Sequence, residues 1–179
     1  MRVLIDTCVL YPTVMREVVL GCAAEGLFEV RWSSRILEEW QRAVVKLGPA
    51  QVVIAEGEIA ALGAAFPDAV VPEHAGLEQR LWLPDPNDIH VLASAVGGSC
   101  DAIMTINAKD FPGNVLAEEG LFRVDPDAFL RGLLEEVPDQ VRGVAERVLA
   151  QANAISDRPW EMRALMKKAR LPRLGKALS

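Results

Sequence analysis

The 179-residue sequence has little with which to build a disulfide framework or a soft metal site: three cysteines, Cys8, Cys22 and Cys100, none in a Cys-x-x-Cys pair, and only two histidines. That excludes a disulfide scaffold and a structural zinc site, and leaves the cysteines as small buried hydrophobes. No run approaches the roughly 18 apolar residues needed to span a membrane, and the N-terminus has no signal-peptide pattern; a cytoplasmic protein with no membrane partner is expected. Neither a GxGxxG nor a Walker A loop occurs, which argues against nucleotide-dependent chemistry. Aromatic residues make up only 6% of a chain that is 51% hydrophobic, a balance suited to a soluble α/β domain with a small appendage.

Positive charge is scarce along most of the chain. The net charge is −6, which taken whole disfavours a nucleic-acid partner. Its distribution is lopsided: residues 158–179 hold seven Lys/Arg against Glu161 alone, so the first 157 residues carry −12. A basic tail on an acidic body points to an anionic partner for the tail, whether RNA, an acidic protein or the body itself.

Buried strands alternate with amphipathic helices. Residues 3–5, 28–32, 68–72 and 102–106 read as strands, and 13–26, 35–48, 50–66 and 88–96 as helices, with Ser33 and Ser34 as N-cap candidates and Gly26, Gly48 and Gly97 as stops. In the second helix Ile36, Leu37, Trp40, Val44 and Leu47 form the apolar stripe. This alternation predicts a central parallel sheet with helices on both faces, a three-layer α/β/α architecture. After Phe122 the pattern turns purely helical, with Asp125-Pro126 as cap and first turn and a basic third helix near 159–170 ended by Leu171-Pro172. The expected division is 1–124 and 125–179.

The informative residues are isolated acids at element ends. Asp6 closes the first strand, Glu39 lies in the early turns of a helix, Asp88 opens another helix and Asp110 follows the AIMTI strand. Taken singly, each has a bland explanation: Asp6 as a cap, Glu39 as a solvated face residue, Asp88 as a helix-dipole partner, Asp110 as a turn former. None of these explains why all four fall at the edge where parallel strands exit and helices begin, the edge at which α/β folds bind ligands. Carboxylates crowded without cations raise one another's pKa, so such a set normally holds metal, and hard oxygen donors select Mg²⁺ or Mn²⁺.

The segments IDTCVL, SSRILEEW and DPNDIHVLASAVGGSCDAIMTINAKDFP resemble the PIN-domain family, metal-dependent ribonucleases that include VapC-like toxins, over residues 1 to 125. The resemblance implies metal-ligating and catalytic roles for Asp6, Glu39 and Asp88. The sequence departs from the family pattern at the fourth acid, where Thr-x-Asp is replaced by Thr105-Ile106-Asn107, with Asp110 three residues on. Asp110 is then expected to supply the fourth charge, and Thr105 and Asn107 to support the site as neutral oxygen donors. His90 is read as structural or as a substrate-side contact, and Asp85 as a turn residue. The resemblance further implies an RNA substrate and a cognate antitoxin; a homodimer is left open. Arg31, Arg35 and Arg42, with Arg163, Lys167 and Lys168 of the tail, are the candidate RNA-binding cations. Two rivals belong to other classes. A haloacid-dehalogenase-like phosphatase requires a second Asp where Cys8 stands and falls; a non-catalytic PIN-fold binding module with a weakened metal site is the alternative.

Overall fold

A computed structural model describes residues 1–179. In chain order the elements are β1 (Arg2–Ile5), α1 (Thr7–Leu10), α2 (Thr13–Ala24), β2 (Glu29–Ser33), α3 (Ser34–Val45), α4 (Pro49–Ala65), β3 (Val70–Val71), α5 (Ala75–Arg80), a 3₁₀ turn (Pro86–Asp88), α6 (Ile89–Gly97), β4 (Ala102–Met104), α7 (Gly113–Glu118), β5 (Phe122–Val124), α8 (Pro126–Glu136), α9 (Pro138–Ala154), α10 (Met162–Lys168) and α11 (Pro172–Leu178). They form two compact units, residues 1–11 with 28–123 and residues 12–27 with 124–179.

The first unit is built on a five-stranded parallel sheet of order β3-β2-β1-β4-β5. Val3, Leu4 and Ile5 of β1 and Ala102, Ile103 and Met104 of β4 are fully buried, which is why both central strands read as unbroken apolar runs. β1 pairs with β2 on one side (Val3 opposite Val30) and with β4 on the other (Ile5 opposite Met104). The chain therefore winds away from β1 in both directions, and a crevice opens beyond the carboxyl ends of β1 and β4. The expected α/β/α class with a helical C-terminal part is what the structure has.

Local chemistry sets the boundaries. Ser33 Oγ accepts from Ile36 N at 3.3 Å and starts α3, which buries Ile36, Trp40 and Val44 at a spacing of one helical turn. Leu47 is not part of that stripe: α3 ends at Val45 and Leu47 is 58% exposed. β4 stops at Met104 rather than 106, because the Thr105 hydroxyl accepts Asn107 N–H at 3.0 Å and turns the chain out of the ladder.

The second unit is all helical. Compared with the expected division at 124/125, it also contains residues 12–27, since α2 packs on α9. Gly21 permits that packing: a Cβ there would lie 2.5 Å from Val144 Cγ1. Leu171-Pro172, expected to end the third helix, also opens a further one, α11, with proline in its first turn. Asp127, buried to 5% exposure on α8, accepts from the backbone N–H groups of Arg173 and Leu174, both at 2.9 Å, and holds the start of α11.

Candidate metal centre

Asp6 leaves β1 with its backbone N–H still bonded to Met104 O at 3.1 Å, which puts its side chain in the crevice between the two central strand ends. It makes no side-chain capping bond to α1, so the cap explanation fails. Instead Asp6 Oδ2 accepts from Thr105 Oγ1 at 2.7 Å and from Cys8 Sγ at 3.0 Å. Burial first, then the charge of Asp6, pushes the Cys8 thiol up to about 12; it stays protonated as a donor. Cys22 and Cys100 are buried as expected, whereas half-buried Cys8 is a polar member of this site.

Glu39 projects from α3 into a separate cradle. Its Oε2 accepts from Thr7 Oγ1 at 2.8 Å, and its Oε1 lies 2.7 Å from His90 Nε2. Burial raises its pKa, but the hydrogen bonds from His90 and Thr7, with the charges of His90 and Arg35, outweigh that and hold the carboxyl below its ordinary value. His90 is only 3% exposed and its Nδ1 has no partner, an arrangement suited to an imidazole that donates through Nε2 and orients a carboxylate.

Asp88 occupies the N-cap position of α6 and, like Asp6, makes no capping bond with its side chain. Its carboxyl is pushed up to about 6, by desolvation first and then by the charges of Asp6, Asp85, Asp110 and Glu39. That single group therefore registers all three other candidate ligands at once. Asp85 contributes charge, while its own oxygen is engaged in the turn, accepting from Asn87 N and Nδ2 at 2.9 and 3.0 Å. Asp110 sits in the loop after β4, where the Asn107 side-chain amide donates to its Oδ2. Two supports of this loop gave no sequence signal: the Arg123 guanidinium on β5 donates to Ala108 O at 2.9 Å and Phe111 O at 2.6 Å, and the Phe111 ring is fully buried.

The sequence model of the PIN domain matches residues 2–109, 60% of the chain. The chain belongs to the PIN-domain family. No curated protein and no solved structure matches it. PIN domains are typically nucleases, and they generally use divalent metals. The donors present fit such an ion: the cluster offers hard carboxylate oxygens, its thiol is protonated and its imidazole faces a carboxylate. No three His, Cys, Asp or Glu side chains are drawn together into a ready cage. Three of the four acids rest on neutral or imidazole donors, and Asp88, which has none, bears the repulsion that a cation would relieve.

The candidate RNA-binding cations are not all brought to this PIN-domain site. Arg35 is at its margin, paired with Glu78 at 3.3 Å and near enough to Glu39 to lower it. Arg42 lies on α3 with Nε 3.4 Å from Glu38 O. Arg31 turns back along β2 to Glu29 and the Val30 carbonyl, toward the start of the strand and away from the crevice at the carboxyl ends, where it is engaged in an ion pair with Glu29. Arg163, Lys167 and Lys168 belong to the helical unit.

Proposed function

We propose that this PIN domain is a Mg²⁺- or Mn²⁺-dependent endoribonuclease, the toxin of a toxin–antitoxin pair, with Asp6, Glu39, Asp88 and Asp110 as its metal-ligating and catalytic carboxylates. The observation that carries the reading is Asp88, which makes no capping bond with its side chain and is raised to about 6 by burial first and then by the charges of the other acids of the crevice. When bound, the cation would offset the cluster's negative charge and lower the pKa of a water for attack on a phosphodiester.

The chain's own residues do the positioning. Thr105 and Cys8 hold Asp6; Thr7 and His90 hold Glu39. Asn107 holds Asp110 and, as a neutral amide, adds orientation without charge. Arg35 supplies a guanidinium at the rim for an incoming phosphate. Water attacks phosphorus, the bond to the leaving oxygen breaks, and that oxygen departs with a proton.

The test is cleavage of single-stranded RNA by the wild type in Mn²⁺, in Mg²⁺ and in EDTA, beside Mn²⁺ calorimetry. Cleavage in metal alone is expected. Mn²⁺ binding without cleavage of any RNA would favour the non-catalytic module, and absence of both would overturn the metal-site reading. The cognate antitoxin is expected to abolish cleavage when co-purified.

A further inference from the structure

Five of the seven basic residues of the tail fall into two sets once α10 and α11 are folded. Lys168 is spent locally, its ammonium 4.7 Å from the centroid of the Trp160 ring. Arg163 and Lys167 of α10 instead join Arg173 and Lys176 of α11 around a concavity of about 360 Å³, whose fifth lining residue is Pro172. No carboxylate lines it, and none of the four cations forms a salt bridge.

The convergence is built in. α10 ends in a reversal in which Leu171 N–H bonds Met166 O at 2.8 Å and Arg170 N–H bonds Lys167 O at 3.2 Å, with Arg170 in the left-handed region at φ 62°. Gly175 then lets α11 close on α10: a Cβ there would stand 2.8 Å from Met166 Cβ and 3.3 Å from Arg163 O. The Asp127 carboxylate fixes the start of α11 from beneath. Four like charges are thus held together by packing that works against their mutual repulsion, with no counter-charge in the lining.

We propose that this concavity is a phosphodiester-backbone site that grips single-stranded RNA, separately from the carboxylate crevice. The choice of RNA over an acidic protein rests on the ribonuclease reading and on the lining. Protein interfaces are anchored by apolar and aromatic side chains and are depleted in lysine at their cores, whereas this site offers guanidinium and ammonium groups with one proline. Phosphate contacts need only such charges and fix a strand without reading its sequence.

The experiment measures binding of a labelled single-stranded RNA to the full chain in EDTA, as a function of salt. Replacing Arg163, Lys167, Arg173 and Lys176 together by Gln is expected to weaken binding roughly 100-fold at 0.1 M salt and to flatten the log–log slope by about 2 to 3, at ~0.7 per phosphate contact. The Lys167→Arg, Lys176→Arg pair should keep the wild-type slope, and Lys168→Gln should move it less than Lys167→Gln does. Should the fourfold variant fail to fold by circular dichroism, the four single variants carry the test, each with about a quarter of the change. Unchanged affinity and slope overturn the site. So does displacement of the RNA by polyglutamate of equal charge at equal concentration, which would assign the surface to an acidic protein. Loss of the slope in the variant, with a wild type that binds no Mn²⁺ and cuts no RNA, would leave this site standing and remove the nuclease reading alone.

Discussion

The carboxylate crevice and the basic concavity are built in opposite ways. The acids come from positions 6, 39, 88 and 110, on elements scattered through the sheet unit, and most are held by neutral donors. The cations come from fourteen consecutive residues, 163–176, on two short helices. A reaction centre has to fix charges from several directions to within fractions of an ångström, which only a sheet edge collecting distant strands can do. A backbone grip needs charge density more than precision, and one local helix pair supplies it. In this reading chemistry resides in the first region and affinity in the second, so variants in each should fail differently.

The sharpest break is Asp6→Asn. The amide oxygen can still accept from Thr105, so folding should survive, and a repulsive charge leaves the cluster. Cleavage should fall at least roughly 100-fold, the equivalent of losing about 2.7 kcal/mol of charge stabilisation, while the melting temperature holds or rises. A variant that unfolds instead would make Asp6 a structural residue.

Next in size is the loop after β4. Asp110→Asn should lower cleavage by about 10- to 100-fold and raise the Mn²⁺ concentration required, because a charge is lost. Asn107→Ala should lower turnover less and leave metal affinity nearly unchanged, because only an orienting bond is lost. If Asp110→Asn is silent while Asn107→Asp raises activity, the fourth charge has been assigned to the wrong residue.

How far these sites can be read from sequence follows the same contrast. Asp6, Glu39 and Asp88 stood out as a set because Asp6 ends a strand, Asp88 opens a helix and Glu39 lies in the early turns of another, all in elements whose periodicity is plain, and the fold class followed from strand–helix alternation. The groups that hold them did not stand out. Thr7 reaches Glu39 across 32 residues, and Cys8 and Thr105 meet across 97; no local pattern encodes such a pairing. Arg123 looks like any strand arginine until its guanidinium is seen tying down the Asp110 loop. α11 was hidden for a different reason: Pro172 serves equally as a terminator of one helix and as the first turn of the next. Only the α10 half of the basic site was therefore visible.

On the helical side the largest effect is expected at Asp127. Asp127→Ala removes a buried acceptor of two backbone N–H groups and should destabilise the fold by about 1–3 kcal/mol, read by urea denaturation. RNA affinity in EDTA should fall with it if α11 frays. A stable variant with full affinity would show that the concavity does not depend on this anchor.

A smaller effect, of opposite sign, is expected at Asp88. Its folded pKa of about 6 lies above the ordinary 3.8, so the folded state holds a proton that the unfolded state has released. The group's contribution is fully present below about pH 4 and is lost as pH rises through 6. Asp88→Asn should accordingly raise the melting temperature at pH 7.5 and change it little at pH 4. Mn²⁺ should raise the wild-type melting temperature at pH 7.5 and do so less for the variant. An equal gain at both pH values would mean that charge crowding is not what the substitution relieves.

The smallest effect separates shape from charge within the basic segment itself. Arg170 adds to the tail's positive count, yet it does not line the concavity; it sits at the reversal between α10 and α11 with φ 62°, a conformation that costs a residue with a Cβ roughly 1 kcal/mol and glycine almost nothing. The bonds that close the reversal run from backbone groups, Leu171 N–H to Met166 O and Arg170 N–H to Lys167 O, so they are kept when the side chain is removed. Arg170→Gly should therefore stabilise the protein by up to about 1 kcal/mol, less the entropy that glycine adds to the unfolded chain. The salt slope of RNA binding should shift far less than it does for Lys167→Gln. If Arg170→Gly flattens the slope as much as a lining residue does, the tail binds through its overall charge, and the concavity that α10 and α11 form has no special part in it.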